Sequence, residues 1–293
     1  MAKKIVGYIV IIALFVGSFF GIFYGVKYSQ VASDKSMIDD YKQQIEDLKQ
    51  DNKDKGNYIE DLEFDNEVKD NIISVLEEEI YNLGLYSSFE FDGNTIVGYN
   101  GTLTDLIIPS SYSIDNQGRY VEGDDYTITS IASATSPAEG VFANSNIESI
   151  VLPVTLESIG DYAFYNCDNL TSIEFPSTLT SIGKFAFENC DYLYHIEFAD
   201  NSQLQSIDNN AFCFCLKLDD VILPSSLQSL GMGVFSCCSD LTNITFSSEV
   251  PPSMPETEMF YSCSMLSVIL VPANSVEAYK TAFSRYAGMV RSN

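Results

Sequence analysis

Across its 293 residues the chain sets 41 Asp and Glu against 15 Lys and Arg, a formal net charge of −26, with 46% hydrophobic residues. The apolar content allows a sizeable core, whereas the charge excludes a nucleic-acid ligand, because phosphate binding needs a basic footprint that is missing. One histidine, His195, and no glycine-rich phosphate loop leave no assignable catalytic residue, and neither a cofactor nor a metal site is expected.

Residues 1–4 hold Lys3 and Lys4, and residues 5–26 form an uncharged run, IVGYIVIIALFVGSFFGIFYGV. As a helix it would measure roughly 33 Å, enough to cross a bilayer. The lysine pair places residues 1–4 in the cytoplasm and the remainder outside. A cleaved signal peptide ending near Val31-Ala32-Ser33 is the alternative, although the apolar run exceeds the usual 7–15 residues. Gly17, Gly21 and Gly25 give small-x-x-x-small spacing that lets two membrane helices approach closely.

Residues 34–86 carry a heptad pattern. Ile38, Ile45, Asn52, Ile59, Asn66, Ile73 and Ile80 fall at position a, and Tyr41, Leu48, Lys55, Leu62, Lys69, Leu76 and Leu83 at position d. Ile at a with Leu at d, and Asn at two a positions, predicts a parallel two-stranded coiled-coil stalk and hence a parallel homodimer. Lys55, Gly56 and Lys69 soften it, and a single solvated amphipathic helix is the other reading.

Residues 87–146 are read as an N-terminal cap and a divergent first repeat. FEFDGNTIVGYNG alternates apolar and polar residues around Asp92-Gly93, a hairpin signal. LTDLIIP, with Leu103, Leu106, Ile108 and Pro109, then opens a unit stretched by a polar insertion near residues 110–127.

Residues 147–265 repeat one pattern five times. The marker phenylalanines Phe164, Phe187, Phe212, Phe235 and Phe260 are separated by 23, 25, 23 and 25 residues. Each unit opens with a strand spaced apolar-x-x-apolar-x-apolar, as in Leu170, Ile173 and Phe175, and in most units a proline ends it. A second apolar set, for example Leu179, Ile182, Ala186 and Phe187, brings the chain back. No unit can bury these faces alone, so the period predicts a solenoid whose stacked coils share one core. In residues 266–293 a last strand precedes a helix whose apolar face, Val276, Tyr279, Ala282, Phe283 and Tyr286, would close the open end.

The elements LPVTLESIGDYAF, FPSTLTSIGKFAF and LPSSLQSLGMGVF, followed within three residues by Cys167, Cys190 or Cys238, resemble leucine-rich repeats of the BspA type, found in surface proteins of bacteria and some protists. The resemblance spans about residues 87–293. It departs at Asp208, which replaces the usual glycine, and in EVPPSMPETEMF, which lacks the Leu-x-x-Ile-Gly core. It implies an α+β repeat fold, a leucine-rich repeat solenoid, here preceded by the transmembrane helix and the stalk. It also implies cell-surface or secreted binding and adhesion, and brings no catalytic motif.

Cys167, Cys190, Cys215, Cys238 and Cys263 all stand three residues after a marker phenylalanine and form one inward column of small buried hydrophobes, with Cys213 and Cys237 additional. An occasional disulfide or a redox role stays open, whereas a ladder lacks the convergent ligands zinc needs. Strand parity turns two further columns to the surface, and the candidate ligand-binding residues are Glu174, Tyr194, His195, Glu197, Asp219, Asp220, Ile222, Asn243 and Thr245. Outward Ile222, Val268 and Leu270 suggest a contact patch or cover by the C-terminal segment. The expected function is a membrane-anchored extracellular protein binding a protein or glycan ligand. A structural or assembly role through the stalk and membrane helix is the alternative, and a surface hydrolase the third.

Overall fold

The computed structural model describes residues 88–114, 120–255 and 258–293. The membrane segment at 5–26 and the stalk at 34–86 lie outside these residues. Among the described residues no helix is long and apolar enough to cross a membrane.

The chain enters the solenoid through a hairpin, β1 (Phe89–Asp92) and β2 (Thr95–Tyr99), whose turn residue Gly93 has φ +56°, a left-handed geometry that costs glycine nothing. After β3 (Asp105–Ile107), the stretch read as a polar insertion folds as a second antiparallel pair, β4 (Ser111–Ile114) and β5 (Tyr120–Thr127). What holds it is aromatic: Tyr112 is buried, stacks on Phe91 with centroids 4.2 Å apart, and donates its hydroxyl to Gly93 O at 2.7 Å. From β6 (Ser130–Ile131) onward long and short strands alternate. The long ones are β7 (Ser149–Val151), β9 (Ser172–Phe175), β11 (His195–Phe198), β13 (Asp220–Leu223), β15 (Asn243–Phe246) and β16 (Val268–Val271). The short ones are β8 (Ser158–Ile159), β10 (Ser181–Ile182), β12 (Ser206–Ile207) and β14 (Ser229–Leu230).

Each coil thus has three sides. The short strands pair in parallel and continue through β6 into the hairpin, giving a seven-stranded sheet in the order β1-β2-β6-β8-β10-β12-β14. The long strands pair in parallel on a second side, β3 with β7, β9 with β11, β13 with β15, and β15 with β16. The third side consists of turns. In it, residues two before and two after each marker phenylalanine adopt left-handed backbone, among them Tyr162, Phe185 and Asn210 before, and Asn144, Asn166 and Asn189 after. This twist brings alternate N–H groups parallel to the stack. Tyr162, Phe164 and Asn166 donate to Lys184 O, Ala186 O and Glu188 O of the next coil at 2.9, 2.7 and 2.8 Å, while Tyr165 N–H closes its own turn onto Tyr162 O. The α+β expectation is met only at the C-terminal end: among the described residues the one α-helix is α1 (Val276–Ala282).

The marker rings stack face to face through the core. Centroid separations run 4.9, 5.2, 5.7 and 6.3 Å from Phe164 to Phe260, and the column begins one coil earlier than the spacing predicts, at Phe142, 4.8 Å from Phe164. The cysteine column lies beside it as expected. Each thiol donates to the carbonyl of the preceding coil's marker phenylalanine: Cys167 to Phe142 O at 3.1 Å, Cys190 to Phe164 O at 3.2 Å, Cys215 to Phe187 O at 3.3 Å, Cys238 to Phe212 O at 3.2 Å and Cys263 to Phe235 O at 2.9 Å. Ser145 holds the equivalent place after Phe142 and lies 3.4 Å from the Cys167 sulfur. All seven cysteines are free thiols.

The glycine after each short strand is required by close approach. A Cβ on Gly160 would come within 2.3 Å of the Ala132 backbone, and one on Gly231 within 2.3 Å of Asn209 N. Asp208 occupies that place in the coil between, keeps the backbone bond to Ile182 O at 2.9 Å, and accepts Asn209 N–H on its carboxylate. In the last coil, which lacks the Leu-x-x-Ile-Gly core, an isolated parallel bridge from Ser229 to Ser253 replaces the short strand. The C-terminal closure is a helix followed by a strand: Tyr279 and Phe283 are buried, Val276 and Tyr286 pack partly buried against the core, and β17 (Val290–Ser292) pairs in parallel with β16.

Phe187 touches rings on both sides, so Phe187→Ala is expected to cost about 3–5 kcal/mol through lost burial and a residual cavity. Denaturant unfolding checks this, and near-wild-type stability would remove the assigned register. Burial also raises the thiol pKa values of Cys190, Cys215 and Cys238 well above their ordinary range, and pushes Cys213 and Cys263 up to about 12. An unfolded thiol ionises near 8.5, so the stability these groups contribute is complete below that pH and is lost as pH rises toward about 12. Under reducing conditions the urea midpoint should hold from about pH 6 to 8 and fall above about pH 9. Cys215→Ala, less stable at neutral pH, should show a shallower fall.

Candidate ligand-binding face

The long strands position the predicted residues by parity. Within each strand Ile, Val, Leu and Phe alternate inward, as Ile173 and Phe175 do in β9, and the residues between them face out. Parallel pairing then aligns equivalent positions. His195 lies opposite Ser172, Glu197 opposite Glu174, Asp220 opposite Asn243, and Ile222 opposite Thr245. Seven of the nine predicted residues stand in these outward columns, and Tyr194 and Asp219 lie directly before β11 and β13.

The structure gathers them into two groups. In the first, Glu174 and Glu197 sit side by side on β9 and β11, and His195 Nε2 lies 3.5 Å from Glu197 Oε2, both side chains more than half exposed. In the second, Thr242 Oγ1 lies 2.9 Å from a carboxylate oxygen of both Asp219 and Asp220, and the Asn243 amide donates to Asp220 at 2.7 Å. β11 and β13 do not form a continuous ladder, and the two groups are joined by Asp219 N–H donating to Tyr194 O at 3.4 Å. Ile222 is 63% exposed, whereas Val268 and Leu270 are half-buried beside β17, so the C-terminal segment flanks the last coils and leaves Ile222 open.

Sequence reasoning missed several members. Thr242 occupies the same place in its coil as Tyr194 and Asp219 and was legible from that register. Tyr192 is as exposed as Tyr194 and brackets buried Leu193 with it. Ile107, also missed, pairs with Val151, which strand parity had turned outward, and both are exposed at the N-terminal end of the same face.

A second feature was not anticipated. On the short-strand side Ser130, Ser158, Ser181, Ser206 and Ser229 stand in one hydroxyl row, in register with Thr95, along a groove of about 620 Å³. Its signal lay in the recurring Ser-Ile or Ser-Leu before each glycine or Asp208. The floor is small and polar, and Asp161 and Asp208 are its only lining charges.

Among the described residues the Cys-His pairing that spacing could suggest is not formed. His195 faces outward with Glu197, while the Cys190 and Cys215 thiols are buried and bonded to carbonyls. Among the described residues no group of histidine, cysteine and carboxylate side chains is placed to hold a metal ion.

The family profile of the BspA type leucine rich repeat region matches in six copies, over residues 135–253 and 200–290, more than half of the chain. The chain belongs to this family. Solved structures similar to it include a leucine-rich cell surface protein from Faecalibacterium prausnitzii A2-165 (26% identity, 63% of this chain and 53% of that one, TM-score 0.47). A leucine-rich repeat protein of T. pallidum matches at 23% identity over 63% of this chain and 69% of that one, TM-score 0.42. The pneumococcal vaccine antigen PcpA matches at 20% identity over 63% and 62%, TM-score 0.39. The chain therefore spans about half the length of the first of these. No curated protein matches it closely enough to count as a relative.

Proposed function

We propose that this chain is a membrane-tethered repeat protein displayed outside the cell, and that the long-strand face of its solenoid binds a protein or glycan ligand. The observation that carries the reading is the division between the two sides of each long strand. The inner residues are sealed in the core, while the outer ones form an open face of varied polar, charged and aromatic side chains with no element packed over it among the described residues. Extended sheet faces of this kind are how solenoids present a recognition surface. Membership of the BspA-type family supports a binding role rather than catalysis. The uncharged run at 5–26, behind Lys3 and Lys4, supports tethering by the N-terminus with residues 1–4 inside.

The heptads at 34–86 favour a further element of the proposal: a parallel homodimeric stalk that holds two repeat domains together. Asn52 and Asn66 can pair with their symmetry mates only if the helices run parallel and in register. If the stalk and anchor do the specific work, the protein is an assembly element and the repeat domain a spacer.

On intact cells, external protease should remove the repeat domain and leave the first residues protected. Full protection of the repeats overturns the extracellular placement, and mature protein beginning near Asp34 replaces the anchor with a cleaved signal. With the native cysteines removed, Leu62→Cys and, separately, Leu76→Cys should cross-link like to like in membranes. Failure of both, with one chain per particle by sedimentation, overturns the dimer.

A further inference from the structure

The open face carries its own statement about what covers it. Glu174 and Glu197 are neighbours on paired strands, and Asp219 and Asp220 crowd the next coil. Like charges directly opposite in a sheet repel. The basic side chains nearby already have carboxylate neighbours: His195 faces Glu197, and Lys217 lies 3.0 Å from Asp240. Tyr194, whose carbonyl accepts the Asp219 N–H, exposes 56% of its surface, and Tyr192, two residues before it, exposes 60%. An open phenol ring next to carboxylates is the combination that holds an ammonium or guanidinium group, the ring through its π face and the carboxylates through charge-assisted hydrogen bonds.

Charge also excludes occupants from within the protein. A second copy of the repeat region would bring 25 acidic against 6 basic residues, and residues 34–86 carry 16 against 6. Either would add to the repulsion it had to cover. A neutral glycan would meet the tyrosines but leave the carboxylates uncompensated. A cationic chain removes the repulsion and gains the rings.

Taking this face as the ligand surface, we propose that its partner is an extended, lysine- or arginine-rich protein segment lying across β9, β11 and β13, with basic side chains seated between Tyr194 and the carboxylates. The test uses the full-length protein in detergent with labelled decalysine and decaglutamate peptides and a glycan array. Decalysine should bind and decaglutamate should not, with affinity falling steeply as ionic strength rises. Replacing the four carboxylates (E174Q, E197Q, D219N, D220N) should weaken decalysine binding at least about tenfold. Neutralising four exposed carboxylates elsewhere (D125N, E157Q, D200N, E249Q), the same change in net charge, should weaken it far less. Tyr192→Ser with Tyr194→Ser should lower affinity and leave the salt dependence unchanged, and thermal unfolding of each variant checks that it folds. Equal loss in the two charge variants overturns the proposal, because general acidity then explains the binding. A glycan whose binding the face variant abolishes, with decalysine binding indifferent to that variant, overturns the basic partner and leaves the ligand face standing. If neither probe responds to the face variant, both readings fall.

Discussion

Coil-to-coil stacking of the marker phenylalanines is the contact on which the rest of the structure depends. Six rings from Phe142 to Phe260 lie nearly parallel, and each is tied to its neighbours by more than ring contact. The Phe164 carbonyl accepts both the Cys167 N–H of its own coil and the Cys190 thiol of the next, so both lone pairs are satisfied where water has no access. That explains why this place takes cysteine rather than alanine: the position is apolar and tight, but a weak donor is useful there. At the end of the column Ser145 stands in the equivalent place, half-buried, with its hydroxyl against the Cys167 sulfur.

Much of this was legible because inward positions answer to a strict requirement. A residue that must fit between two coils recurs at fixed spacing, so the phenylalanine and cysteine columns, the strand parity and the closing apolar residues Tyr279 and Phe283 could be read directly. Phe142 was hidden because its coil lacks the cysteine and follows a stretched unit, although Gly140-Val141-Phe142 matches Gly233-Val234-Phe235. The β4–β5 pair was hidden for a different reason. Its tyrosines, Tyr112, Tyr120 and Tyr126, pack on one another and on Phe91 within a polar background, and no period marks that. β17 is three residues long, too short to announce itself against the helix before it.

The turn side shows where local preference yields to the stack. Asparagine suits left-handed backbone and occupies it at Asn144, Asn166, Asn189 and Asn210, yet Tyr162, Phe185 and Phe214 accept the same geometry, which bulky residues rarely adopt. The N–H bonds running to the next coil require the twist at each coil regardless of side chain, and Tyr162 and Phe185 recover part of the cost by stacking their rings 4.9 Å apart.

The outward residues answer to no such requirement, and that freedom bears on recognition. Along one column the inward places read Ile150, Ile173, Ile196, Val221, Ile244 and Ile269, while the adjacent outward places read Ser149, Ser172, His195, Asp220, Asn243 and Val268. The first series is held to one shape by the neighbouring coils; the second is packed only at its C-terminal end, where Val268 is half-buried, and elsewhere bonds side chain to side chain at the surface. A fold of this kind therefore encodes its architecture redundantly and its specificity once, in a few side chains that no repeat period can predict. Glu174 beside Glu197 illustrates the consequence. Packing does not call for two carboxylates on adjacent strands, and a solvated sheet would be more stable with one of them neutral. On the proposed reading of this face, a cationic partner lying over it would relieve the pair, which the core beneath it does not.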